Sequence, residues 1–297
     1  MIEIIKKGFM TLPVTAKRHF LEKFGVSTGG PMDFIRYTLA NRLVGNPGDA
    51  CALEAAFFLP GLRFTDCRAF AVVGEVDALT VLHHGQKQSL PANQTLFVEP
   101  GDELLSCPIS GGMRAYLAVS GGIQLSTLRP QPLAEGERLV LLPGMLPAPR
   151  RLKKAPIPVP TGEAVLRVIS GTQAEHFSEN GRKTFYGEEY CYTPQSDRMG
   201  IRFSGPAISF AEGYDGNILS EGTMMGDIQV PTSGQPILLM AGCQTSGGYA
   251  KIAHVIMADL PVAAQLKPGD RVRFREVSVF EAQAILHRLI RELDERV

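Results

Sequence analysis

The feature that most constrains this chain is a succession of short apolar runs, each closed off by glycine, proline or small polar residues. AFAVVG, AYLAVSGG, VLRVIS and PILLMAG are typical, and the 297 residues contain 31 glycines and 21 prolines that punctuate them. Such runs are too short for ordinary buried helices and rich in residues that suit a pleated surface, so they read as strands. The expected fold class is mostly β: two β units with a few short helices, closed as barrels or sandwiches.

One local pattern recurs. Pro100-Gly101-Asp102-Glu103-Leu104, Glu135-Gly136-Glu137-Arg138-Leu139 and Pro268-Gly269-Asp270-Arg271-Val272 each read as a turn running into a strand. Glycine supplies the positive φ that such turns need, and the acidic side chain can accept from nearby backbone N–H groups. Helices are expected at three places. Met32 to Val44 carries apolar residues on one face, with Pro31 in the first turn and Gly45-Asn46-Pro47 as the stop. Thr172-Gln173-Ala174-Glu175 and Ser278-Val279-Phe280-Glu281 have the form of capping boxes, the second opening a C-terminal helix to about Asp294. That helix has an apolar stripe at 282, 285, 286, 289 and 293, expected to pack on the barrel. The run PGMLPAPRRLKKAPIPVPTG has a spacer's composition. It divides the chain into an N-terminal β domain (1–145), a Pro/basic linker (146–160) and a C-terminal β-barrel with a terminal helix (161–297).

Thirty basic and thirty acidic residues leave no net charge, which argues against nucleic acid or an anionic membrane as partner. No apolar stretch reaches the roughly 20 residues needed to span a bilayer, and the N-terminus does not resemble a signal peptide. The five cysteines are widely spaced, without a C-x-x-C, as expected of reduced thiols in a cytoplasmic protein. No metal site is expected, and His83-His84 read as part of a polar hairpin.

Two stretches could carry chemistry. In Met240 to Lys251 an apolar strand precedes polar side chains and the Gly247-Gly248 pair. Gln244, Thr245, Tyr249 and Lys251 there, with Gln229 upstream, offer neutral donors and one cation suited to an amide or carboxylate; a merely solvated hairpin turn is the alternative. Lys251 is expected to lay its stem on Tyr249 and reach outward with its ammonium. In Ser196 to Arg202, Arg198 and Arg202 would share one face of an extended segment and could grip a carboxylate or phosphate; a structural Asp–Arg pair is the alternative. The sequence has no Walker-type phosphate loop, no G-x-S-x-G and no H-E-x-x-H.

Several motifs in order resemble one family, the carboxyltransferase subdomain A/B family, whose members are known as the C subunit of 5-oxoprolinase, the second subunit of allophanate hydrolase, or KipA. They are Phe24-Gly25-Val26 through Gly30-Pro31-Met32-Asp33, Leu39 to Asn46, Leu53-Glu54, Arg114 to Ile123, Ser196 to Arg202, and Gly226 to Asp259 followed by Ala264 to Asp270. The resemblance implies cyclophilin-like β-barrel architecture, a KipI-like B subunit together with an A subunit as partners, and ATP as co-reactant in opening a small cyclic amide. It casts Lys251, Gln244 and Tyr249 as catalytic, and Arg198, Arg202, Gln229, Thr245 and Arg18 as substrate-binding. Three polar segments of the family pattern are replaced: Val14 to Arg18 keeps only the arginine of Gln-Asp-x-Gly-Arg, Gln124 to Pro132 lacks Gly-Ser-x-Ser-Thr, and Gly242 stands for aspartate. These replacements favour a KipA-like, non-catalytic regulator as one alternative. Half of a biotin-dependent carboxyltransferase, as in urea carboxylase, is the other.

Overall fold

The computed structural model describes residues 1–16, 21–125 and 131–297. Arg18, and part of the segment from Gln124 to Pro132, lie outside the described residues. The chain forms two compact units. The first comprises Met1–Ala16, Asp33–Pro158 and Glu292–Val297; the second comprises Lys17–Met32 and Val159–Arg291.

The first unit contains β1 (Ile2–Lys6), β2 (Met10–Val14), α1 (Phe34–Leu43), β3 (Ala52–Ala56), β4 (Gly61–Phe64), β5 (Arg68–Glu75), β6 (Leu79–His83), β7 (Gln86–Leu90), β8 (Leu96–Val98), β9 (Glu103–Leu104), β10 (Gly111–Val119) and β11 (Arg138–Leu139). They form two sheets, ordered β11-β1-β4-β9-β6-β7 and β2-β3-β10-β5-β8. Strand alternation sends Ile2, Ile4, Leu62, Phe64 and Val81 from one sheet, and Leu53, Phe70, Val72 and Leu117 from the other, into one apolar core. From residue 140 to 162 only single bridges form, at Leu141 and Arg151.

The second unit contains β12 (Glu163–Ser170), α2 (Glu179–Gly187), β13 (Tyr190–Tyr192), β14 (Gly200–Ser204), β15 (Asn217–Gly222), β16 (Asp227–Val230), β17 (Ile237–Leu239), β18 (Ser246–Val255), α3 (Leu260–Ala263), β19 (Arg271–Glu276) and most of α4 (Val279–Asp294). Its sheet closes. The order runs β12-β19-β13-β14-β17-β16-β18, and β18 pairs back to β12. The result is a seven-stranded barrel filled by Leu166, Val168, Phe203, Ile228, Val230, Ile252 and Phe274 among others, with β15 added outside along the first half of β18. The mostly β expectation holds, and closure gives the barrel that the resemblance implied.

The recurrent turn forms at all three places. Gly101, Gly136 and Gly269 take φ of 95°, 80° and 94°. In each, the acidic side chain accepts from the backbone N–H three residues earlier: Asp102 from Glu99, Glu137 from Ala134, Asp270 from Lys267. A fourth copy went unread: Gly226 has φ of 108° and Asp227 accepts from Met224 N.

The helices need correction. α1 starts at Phe34, and its cap is Asp33, whose Oδ1 accepts from the N–H groups of Ile35 and Arg36; Pro31 stays outside. Thr172 to Glu175 makes no capping box and leads only into a 3₁₀ turn, Ala174–His176, with no side-chain cap. The box at Ser278 and Glu281 forms as expected, with reciprocal bonds of 2.8 and 3.2 Å. The stripe on α4 is half-buried at 282, 285, 286 and 289 and fully buried only at Leu293. Helix α2, capped by Ser178, was not foreseen.

Asp33 does more than cap. Its Oδ2 lies 2.7 Å from Nη1 of the fully buried Arg36, whose Nη2 donates to the Ile157 carbonyl. Replacing Asp33 leaves the buried guanidinium with only the longer 3.5 Å pair to the partly exposed Glu75, and loss of a buried partner costs up to roughly 3–5 kcal/mol. Asp33→Asn is therefore expected to lower the denaturation midpoint strongly. Glu103→Gln, which breaks the exposed pair with Arg63, should cost about 0–1 kcal/mol. Urea unfolding of both variants checks the contrast.

Candidate functional site

The site builds up on the outer face of the β16–β18 ribbon. Ile228, Val230, Ala250 and Ile252 point into the barrel core, so alternation turns Gln229 and Lys251 to the other side. Gln229 pairs with Lys251, and Asp227 with His254, across the two strands. A bulge between these pairs adds one residue to β18, which keeps Lys251 and His254 on the same side although they are three apart. One ribbon face thus presents Asp227, Gln229, Lys251 and His254.

Neighbouring segments cover this face. The Lys251 side chain is only 8% exposed; its Nζ lies 2.5 Å from Glu221 Oε1 and donates to the Gly222 carbonyl at 3.0 Å. The expected outward-reaching lysine on Tyr249 is thus overturned: the C-terminal end of β15 brings a carboxylate and a carbonyl to an ammonium that would otherwise be desolvated without a partner. Gln173 links the two, donating to Glu221 Oε1 at 2.9 Å and accepting from the Lys251 backbone N–H at 3.1 Å. These bonds to Lys251 and Gln173 hold the Glu221 carboxyl below its ordinary range. Gln244 donates to Gln229 Oε1 at 3.3 Å, and Gln229 to the Tyr249 carbonyl at 3.4 Å. Gly247 leaves room for both amides, since a Cβ there would sit 2.7 Å from Gln229 Nε2 and 3.0 Å from Gln244 Nε2.

Beside the lysine stands an imidazole–carboxylate pair. His254 Nδ1 lies 2.9 Å from Asp227 Oδ1, while the other Asp227 oxygen is fixed by the Met224 N–H. With the proton on Nδ1 facing Asp227, the lone pair falls on Nε2, which is the tautomer a base requires. The ring lies over Gly226, where a Cβ would come within 2.9 Å of Nε2.

The structure therefore joins Lys251, Gln244 and Gln229 and adds Gln173, Glu221, Asp227 and His254, which sequence reasoning missed. Two signals existed: the fourth Gly-Asp turn at Gly226-Asp227, and the glutamine inside a capping box that does not form. The other candidates are not drawn in. Tyr249 is exposed on β18, and its backbone carbonyl rather than its hydroxyl contacts Gln229. Thr245 contributes its carbonyl to the Thr223 N–H. Arg198 and Arg202 do not share a face, because Asp197 folds the segment into a turn by accepting from Met199 and Gly200 before β14 begins. Arg198 donates to the Gly30 carbonyl at 2.7 Å, and its burial pulls the guanidinium down to about 10. Arg202 points outward from β14 and is exposed.

A closed β-barrel with a polar ribbon face is the class of protein defined here, and the comparisons give the family. The chain belongs to the family described as carboxyltransferase domain, subdomain A and B, which it matches over residues 24–276. It is 31% identical over 280 residues to the 5-oxoprolinase C subunit of Haemophilus influenzae, covering 89% of this chain and 87% of that protein. The same-named protein of Escherichia coli is 30% identical over 304 residues, covering 95% and 93%. The urea amidolyase of Saccharomyces cerevisiae is 26% identical over 294 residues, which span 89% of this chain but 16% of that protein. Among solved structures, the K. lactis urea amidolyase superposes with a TM-score of 0.88 at 25% identity, over 99% of this chain and 20% of that one. TTHA0988 superposes with a TM-score of 0.79 at 30% identity, over 92% of this chain and 55% of that one.

Burial of Lys251 changes what its replacement should do. Lys251→Ala removes a packed stem as well as a charge, and a loss of about 1–3 kcal/mol is expected, well above the ~0.5 kcal/mol of a solvated surface lysine. Lys251→Met keeps the stem, and Glu221, 41% exposed, regains water. It should lose less than the alanine variant. Thermal unfolding of the two variants side by side measures the difference.

Proposed function

We propose that this chain is the C subunit of an ATP-dependent hydrolase of the 5-oxoprolinase type, opening a small cyclic amide together with its B and A subunits in the cytoplasm. The observation that carries this reading is sequence identity: 31% and 30% to the two relatives named as C subunits of 5-oxoprolinase, against 26% to the yeast urea amidolyase.

The chemistry of the ribbon face suits the task. An amide carbonyl is a poor electrophile, and charge grows on its oxygen as the ring opens. ATP, as co-reactant, would activate that oxygen by phosphorylation. Lys251 supplies a cation, and Gln229 and Gln244 supply amide donors, placed before the reaction and partly screened from water. Such placement is the most effective use of polar groups against developing negative charge. His254, oriented by Asp227, is positioned to take the proton of an attacking water through Nε2. A non-catalytic binding role draws support from one feature: Glu221 and the Gly222 carbonyl already satisfy Lys251, as they would a structural lysine.

The test is reconstitution with the B and A subunits, followed by an assay of ATP-dependent glutamate release from 5-oxoproline. The complex should turn over and the lone chain should not. Within the complex, His254→Ala is expected to lower kcat by about 10²–10⁴ if the imidazole is the base. Gly247→Ala should displace the two glutamine side chains while the backbone stays, so kcat falls with little change in melting temperature. A complex that forms but hydrolyses nothing, with either wild-type chain or variants, would select the binding role.

A further inference from the structure

The first unit holds a second imidazole–carboxylate pair, and it sits beside two further donors. β6 and β7 are joined by the two-residue turn His84-Gly85, with His83 pairing to Gln86. Both turn residues have positive φ, 48° at His84 and 79° at Gly85. That is a type I′ turn, which asparagine or glycine adopts most readily at its first position. Histidine is among the non-glycine residues that adopt this conformation most readily. One ligand atom from each of His83, His84 and Glu99 lies within 4.8 Å of the others. His84 Nε2 and Glu99 Oε2 are 3.4 Å apart. A tetrahedral zinc ion with bonds of about 2.0–2.1 Å sets its ligand atoms roughly 3.3–3.5 Å apart, so this pair already has the spacing of two zinc ligands.

The supporting shell is present too. Asp102 is almost wholly buried, and both its oxygens lie within 3.0 Å of His83 Nδ1. Its Oδ2 also accepts from the Glu99 N–H at 2.9 Å, so one carboxylate fixes both the His83 ring and the start of the segment bearing Glu99. A carboxylate on the far nitrogen of a histidine is the usual partner of a metal-bound imidazole, because it sets the tautomer and raises basicity. His84 and Glu99 are exposed and free to close in. His84 borders a depression of about 340 Å³, with Asp102 and Glu103 on its wall.

We infer that His83, His84 and Glu99 form a binding site for a divalent transition ion, with zinc the best match to two imidazoles and one carboxylate. Asp102 is the outer-shell carboxylate, and the fourth position is open to solvent. No sequence motif marks this cluster, because Glu99 reaches the hairpin only through the Asp102 turn.

The experiment titrates metal-free full-length chain with zinc chloride by calorimetry, and with cobalt(II) while recording visible absorption. One high-affinity ion per chain is expected, with cobalt d–d bands of four-coordinate geometry. His84→Asn suits the type I′ turn and should fold at least as well as wild type, and Glu99→Gln alters an exposed side chain. Each should weaken binding at least tenfold and abolish the zinc-induced rise in melting temperature. Absence of stoichiometric binding to the wild-type chain at 100-fold excess zinc, or equal binding by wild type and both variants, would overturn the assignment.

Discussion

Strand β18 is the constraint on which the second unit depends. It is ten residues long and pairs with β16 along one edge, and with β15 and then β12 along the other. The pairing to β12 closes the ring, leaving no open edge between the first and last strands. Closure also makes the bulge between Gln229 and Ile228 consequential. In an open sheet a bulge bends a free edge; in a closed ring it shifts side chains relative to a fixed interior. Here it lets Ile252 and Ala253 both serve the core while Lys251 and His254 face outward together. The polar site is thus a by-product of how the apolar residues are seated.

The Gly-acidic turn is the second organising device. It lets a carboxylate satisfy a backbone N–H locally, which leaves its second oxygen or second lone pair available. Glu137 and Asp270 use the turn only to start a strand. Asp102 and Asp227 use it and also hold a histidine Nδ1 at 2.9 Å. The histidine arrives from a strand neighbouring the turn in both cases: β6 pairs with β9, and β18 with β16. The same local geometry therefore orients one imidazole in each unit, and the surroundings decide its use. Around His254 there are amides and a cation; around His83 there are a second imidazole and a carboxylate.

Local signals were legible in the sequence. The short apolar runs became strands, the three glycine turns formed with the bonds assigned to them, and Ser278 capped its helix. What failed were inferences that needed a third element. Lys251 read as exposed because β15 is polar, with the burial pattern of a strand outside the core, and nothing in its sequence says that it lies across β18. Arg198 and Arg202 read as one face because alternation was carried through Asp197, whose side chain turns the backbone before the strand starts. His254 does not read as part of the site because an offset of three from Lys251 puts it on the opposite face of a regular strand. Only the bulge reconciles it, and a bulge is defined by a partner strand.

The Glu221–Lys251 pair also limits how the site's pH dependence can be read. Hydrogen bonds from Lys251 and Gln173 lower the Glu221 pKa from an ordinary value of 4.5. A carboxyl depressed on folding contributes stability above its unfolded pKa and loses it as pH falls through the lower, folded value. The pair is therefore intact at neutral pH and opens only in acid, below the ordinary carboxylate range. Because Glu221 is substantially exposed, solvent screens the pairing, and its loss in acid should loosen β15 rather than unfold the barrel. It follows that a change in rate between pH 5 and 8 cannot come from Lys251 gaining or losing its carboxylate. A ligand that displaces Glu221 must instead do so by competing for the ammonium, with a carboxylate or a developing oxyanion of its own.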